Sequence, residues 1–228
     1  MEVNEKVDEQ LKNAGVKFLP FVGDAYEYGI SFEENGKLVL GTKENPGKKV
    51  LVLGESHYCE EGSEEEMNSF TRDVLDCYLK AKRGENWDRW MNTFLKFERA
   101  FYNRLTEFDD KTAFWSHVMF YNYLQIPLNG PRIAGTQEEY EKSAEPFFHI
   151  MEAYMPDYII VWGHQLWRNL PEKRWEEGKE LIIDDESIWN GAYLLSNGKR
   201  VKALSVYHPS VGFSWDFWYK VIVSFFNL

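Results

Sequence analysis

The sequence predicts an α/β fold of three layers, α/β/α, around a central, mostly parallel four-stranded sheet. Three observations predict it. Four short, nearly continuous apolar runs have the composition of strands buried on both faces. Stretches with apolar residues at helical spacing separate them. The alternation of the two puts parallel strands beneath crossover helices.

The elements follow in chain order. Lys37 to Thr42 (KLVLGT) alternates and has the turn signal Asn35-Gly36 before it, as an edge or hairpin strand does. Lys49 to Leu53 (KVLVL) is the first buried run. Trp87, Trp90, Phe94, Phe97, Phe101 and Leu105 recur three or four residues apart and predict one helix. His117 to Tyr121 (HVMFY) is the second run. Thr136 and Glu139 have capping-box spacing, and Tyr140, Ala144, Phe147, Phe148, Met151 and Tyr154 form the stripe of the helix they open. Pro146, inside that stripe, predicts a kink. Tyr158 to Trp162 (YIIVW) and Lys202 to Val206 (KALSV) are the third and fourth runs. Ser214 is placed to cap a last helix carrying Trp218, Val221, Ile222 and Phe225.

The chain of 228 residues, 44% hydrophobic and 28% charged, suits one domain over 1–228. That domain has an N-terminal extension of about 1–48 and a helical insertion of about 59–111. The five glutamates between Glu60 and Glu66 read as a solvated loop or a helix N-terminus. Two cysteines, Cys59 and Cys77, make neither a CxxC pair nor a disulfide framework. The polar start, Met1 to Gln10, does not read as a signal peptide, so none is expected, and the apolar runs fall short of a membrane span. A cytoplasmic, monomeric protein is expected. The net charge of −11 opposes non-specific duplex binding, which relies on Lys and Arg at phosphates. DNA contact, if made, is therefore local.

Ligands of open α/β sheets bind beyond the carboxyl ends of the strands. The four runs end in Gly54-Glu55-Ser56-His57-Tyr58, Asn122-Tyr123-Leu124-Gln125, Gly163-His164-Gln165 and Tyr207-His208-Pro209-Ser210. Three of the five histidines are among them. Polar residues at all four ends point to one convergent site. Taken singly, Gly54 and Gly163 read as tight turns, Asn122 as a turn cap and His208 as structural.

The segments GESHY, YNYLQIPLNGPR, IIVWGHQLW and VYHPSVGFSW, in this order, resemble the uracil-DNA glycosylase superfamily. Its members carry a GQDPYH or GEAPG motif, a strand-end Asn, an apolar strand closing in WG or LG, and an HPS motif. The resemblance runs from Lys49 to Asp216. It implies a hydrolase that cleaves the N-glycosidic bond of a uracil or related base flipped from DNA. By that resemblance His208 donates to the anion developing on the leaving base, and Glu55 activates water or stabilises the sugar cation. Asn122 reads the base edge, Tyr58 and Ser56 line the base pocket, and Phe70 stacks on the base. Backbone N–H groups from Gly163 into His164, with the Ser210 hydroxyl, hold phosphates.

Two departures stand out. Ser56 occupies the place of the water-orienting aspartate of the GQDPYH form, while Glu55 matches the GEAPG form. Gln125 and Ile126 stand where a cluster-ligating cysteine would follow the Asn segment, so neither an iron–sulfur cluster nor another cofactor is expected. Two other readings are open. Glu55, His57, His164 and His208 could converge on a metal, although no metal is expected. Alternatively, the fold could bind nucleobases or nucleic acid without turnover. His117 and His149 read as structural, and Trp162, Trp167, Trp175 and Trp189 receive no functional role.

Overall fold

In the computed structural model, residues 4–58, 62–130 and 133–228 are described. Glu60 and Glu61 of the acidic patch, and Pro131 and Arg132 of the Asn segment, lie outside them. The chain opens with α1 (Glu5–Asn13), β1 (Phe21–Val22), β2 (Ile30–Phe32), β3 (Leu38–Leu40), β4 (Val50–Gly54) and β5 (His57–Tyr58). Next come α2 (Glu64–Lys80), α3 (Met91–Tyr102), α4 (Phe108–Ser116), β6 (Val118–Asn122), β7 (Pro127–Leu128) and α5 (Gln137–Tyr154). The last part holds β8 (Tyr158–Trp162), α6 (His164–Asn169), β9 (Trp175–Glu177), β10 (Ile182–Ile183), β11 (Glu186–Ser187), β12 (Asn190–Leu194), β13 (Arg200–Val206) and α7 (Trp215–Phe226).

The main sheet has seven strands, in the order β1-β6-β4-β8-β13-β12-β9. The four predicted apolar runs are its central strands, and β6, β4, β8 and β13 pair in parallel. The expected count of four is corrected by three antiparallel additions, β1 at one edge and β12 and β9 at the other. These carry no continuous apolar run. β1 has two residues, β12 begins Asn190-Gly191, and β9 is Trp175-Glu176-Glu177. Lys37 to Thr42 supplies β3, whose partner is β2 in a separate antiparallel pair.

Every residue of β4, β6 and β8 is buried, because helices cover both sheet faces. Val50, Val52, Phe120 and Ile160 pack with side chains of α2, α3, α4 and α7. Leu51, Leu53, Tyr121 and Val161 pack with those of α1, α5 and α6. Strand alternation thus sends successive side chains into two cores.

The helix predicted from Trp87 begins only at Met91 and ends at Asn103, whose φ of 52° is left-handed. Leu105 therefore falls beyond it and is 63% exposed. The Thr136–Glu139 capping box forms, as does a second at Ser63 and Glu66 that opens α2. Pro146 is buried inside α5, which continues to Tyr154. Ser214 stands at the N-cap of α7 without a capping bond, because its hydroxyl donates to Asp216 instead.

After β4 the chain passes to β6 on one side, then returns across β4 to β8 on the other. This reversal opens a crevice beyond the carboxyl ends of β4 and β8, where ligands of such sheets bind.

Candidate functional site

Sheet register aligns the four strand ends. Gly54 is opposite Asn122, Leu53 opposite Val161, and Trp162 opposite Val206. The predicted residues on this rim fall into three clusters.

The first cluster joins Asn122 to His57. Asn122 Nδ2 lies closer to His57 Nδ1 (3.0 Å) than to Nε2 (3.3 Å), and Nε2 is 2.8 Å from Thr71 Oγ1. An amide nitrogen only donates, so Nδ1 accepts and Nε2–H donates to Thr71. His57 is 4% exposed, and burial pushes its imidazole down to about 3, so the ring is neutral. The rings of Phe18 and Phe70 flank it at 4.8 and 4.9 Å between centroids. A Cβ on Gly54 would stand 2.1 Å from Asn122 Oδ1. The glycine is thus what lets the amide carbonyl lie over the end of β4.

The second cluster holds Glu55, on the α5–α6 side. The Tyr140 phenol donates to Glu55 Oε1, and Gln165 Nε2 donates to the same oxygen at 3.1 Å. Burial first, then the neighbouring carboxylate, pushes the Tyr140 hydroxyl up to about 12, so it remains a donor at neutral pH. Among the described residues Oε2 accepts no hydrogen bond.

The third cluster is His208 with Ser210. His208 Nδ1 is 2.7 Å from Ser210 Oγ and 3.3 Å from the Ser210 backbone nitrogen. The backbone N–H can only donate, so Nδ1 is an acceptor and the neutral ring carries its proton on Nε2. Burial pushes this imidazole down to about 4. Among the described residues Nε2 makes no hydrogen bond. The Trp162 ring lies 6.0 Å away, and a Cβ on Gly163 would come within 3.5 Å of the His208 Cβ.

The remaining predicted residues are more dispersed. The Gly163 N–H donates to Val206 O at 2.8 Å, so this group is not available to a phosphate. Its φ of 96° turns the chain directly from β8 into α6. His164 stacks on Trp189 at 4.3 Å and contacts Tyr207 at 4.9 Å. Burial and then Arg168 lower its pKa. Tyr58, in β5 opposite Leu128, is 50% exposed. Ser56 Oγ is buried without a hydrogen-bond partner among the described residues.

The structure thus brings Asn122 and Phe70 together through His57, and sets His208 beside Gly163. Glu55, at the end of the neighbouring strand β4, is bonded instead to side chains of α5 and α6. Among the described residues no group of three or more His, Cys, Asp or Glu is placed to hold a metal ion. No helix among them is long and apolar enough to cross a membrane. Sequence reasoning did not assign site roles to Tyr140, Gln165, Thr71 and Trp189. Tyr140 in particular occupies a core position of the α5 stripe, and nothing in the sequence marks its hydroxyl. Comparison with protein-family models and with curated protein sequences returns no match.

Proposed function

We propose that this protein is a base-excision hydrolase of the uracil-DNA glycosylase type. It would cleave the N-glycosidic bond of a uracil or related base flipped from DNA. The observation that carries this reading is His208. It is a neutral imidazole with Nδ1 occupied and, among the described residues, the Nε2 proton uncommitted, on the rim that also carries Asn122 and Glu55. Such a donor suits an oxygen that becomes anionic as a bond breaks.

The chemistry runs in two stages. The C1′–N1 bond breaks heterolytically, and its electron pair leaves with the base. His208 Nε2–H donates a hydrogen bond to the base oxygen that takes up the charge. Asn122, its amide oriented by His57, meets the base edge, and Phe70 lies beside it as a stacking ring. Water then adds to C1′ of the sugar cation and loses a proton to Glu55, whose Oε2 accepts no hydrogen bond among the described residues. The base anion takes a proton from solvent and Glu55 gives its proton back to solvent, so the products are a free base and an abasic sugar. The order of GESHY, the strand-end Asn and the HPS motif supports the same reading, as does the parallel order β6-β4-β8-β13.

Chromatographic detection of free uracil from a uracil-containing oligonucleotide, with an alkali-labile abasic site left behind, tests the proposal. Absence of release from uracil and from other deaminated bases would refute it. A second reading, binding without turnover, draws on Ser56 in the aspartate position and on the two donors that already occupy Glu55. It predicts retained affinity for the oligonucleotide with the base left in place.

A further inference from the structure

A cleft of about 880 Å³ opens between α6 and the β9–β12 edge of the sheet. That volume is typical of small-ligand sites, about 300–1,000 Å³. Trp189 and Arg168 line it on one side, and Glu172, Glu177, Lys179 and Glu180 contribute elsewhere. The backbone of Trp189 is held to the sheet, because its carbonyl accepts from Ser205 N on β13 at 2.9 Å. The Arg168 guanidinium lies over the indole at 5.1 Å, and among the described residues it forms no ion pair.

Trp189 also links the cleft to the rim. Its ring stacks on His164 at 4.3 Å, His164 follows Gly163, and Gly163 abuts His208. Trp189 is 36% exposed, so the part of its ring that His164 and Arg168 leave uncovered faces the cleft, beside a cation that forms no ion pair among the described residues and several carboxylates. A ring surface takes a base face regardless of sequence. The guanidinium suits one phosphate. Carboxylates suit exocyclic amino groups and repel further phosphates, so the wall suits one base with one phosphate rather than a continuous backbone. Paired bases in a duplex have their faces covered and cannot stack here.

We propose that this cleft is a stacking subsite for single-stranded DNA, in which Trp189 takes a base neighbouring the one at His208 and Arg168 takes its phosphate. The placement of that neighbour rests on the base-excision reading, whereas the binding itself can be measured without it.

The test is fluorescence anisotropy of a labelled, uracil-free single-stranded decamer and of the same sequence as a duplex. The parent should bind the single strand more tightly. Trp189→Ala should weaken that binding on the order of tenfold, and Trp189→Phe should restore most of it. Arg168→Ala, at an exposed position, should weaken binding and reduce its salt dependence, and it serves as the test if Trp189→Ala does not fold. Single-strand binding by the parent that neither variant disturbs would overturn the proposal, and so would preference for the duplex or no binding at all. Variant-sensitive binding without uracil excision would uphold the subsite and fail the glycosylase reading.

Discussion

The amide of Asn122 donates to the buried imidazole of His57 across 3.0 Å, and this contact decides which way the amide faces. With NH2 turned to His57, Oδ1 lies over Gly54. Under the proposed function Asn122 meets a base edge, which needs its donor and acceptor fixed in advance, and a second buried side chain fixes them.

That relationship gives the first prediction. Asn122→Ala leaves Nδ1 of His57 without its donor in a buried place, so it should destabilise the protein by about 1–3 kcal/mol. Gly54→Ala should reach the same end by another route. Its methyl group would meet the tip of the Asn122 side chain and come within 3.2 Å of the buried Phe120 ring, so the amide is displaced and the ring must give slightly. Urea titrations of both single variants and the double variant check this. The double variant should be less destabilised than the sum of the singles, because the two changes break one interaction.

Tyr140 and Gln165 hold one oxygen of Glu55, and among the described residues the other accepts no hydrogen bond. Tyr140→Phe removes only a hydroxyl. Single-turnover excision should slow by about tenfold, with the affinity for the oligonucleotide unchanged, as expected when a group that orients a base is lost. A change confined to affinity would mean that Tyr140 shapes the binding site instead.

His57 makes stability depend on acid. Its pKa is about 3 in the fold against 6.5 as the ordinary value, so between these limits the unfolded chain binds more protons. The stability conferred by the neutral ring is complete above pH 6.5 and is lost as the pH falls toward 3. The contribution is on the order of 5 kcal/mol. His57→Gln can accept from Asn122 and donate to Thr71 without titrating. Denaturation at pH 7 and pH 4 should show a smaller acid loss for His57→Gln than for the parent.

Glu98 acts with the opposite sign. It is fully buried between Tyr78, Trp115 and Thr106, at 2.9, 3.0 and 2.7 Å. Burial pushes its carboxyl up to about 7 from 4.5, even though these three donors favour the charged form. In that interval the folded state holds the extra proton, so its contribution falls as the pH rises. Glu98→Gln can present its oxygen to Tyr78 and Trp115 and its NH2 to Thr106. It should gain stability over the parent by about 3 kcal/mol between pH 5 and pH 8. Thermal melts at the two pH values measure the gain.

The four central strands were legible because burial on both faces demands continuous apolar runs, and Tyr158 to Trp162 matches β8 residue for residue. The flanking strands were not, because β1 is too short to show a pattern and β9 carries two glutamates in three residues. The end of α3 was missed because Asn103, which turns left-handed, resembles any polar helix residue in the sequence. At the rim, Asn122 and His208 were visible as polar residues at strand ends. The contacts that orient them were hidden. The Thr71 hydroxyl comes from within α2, fourteen residues after His57, and Tyr140 reaches Glu55 across eighty-five residues. Spacing along the chain carries no trace of such pairs.

The central claim is that the uncommitted Nε2–H of His208 stabilises the departing base. Single-turnover excision of uracil from a single-stranded oligonucleotide, by the parent and by His208→Ala, tests it most directly. A rate about 10²–10³-fold lower in the variant, with the fold and strand affinity retained, is the predicted result. Equal rates in the two proteins, or no excision by either, would contradict the account.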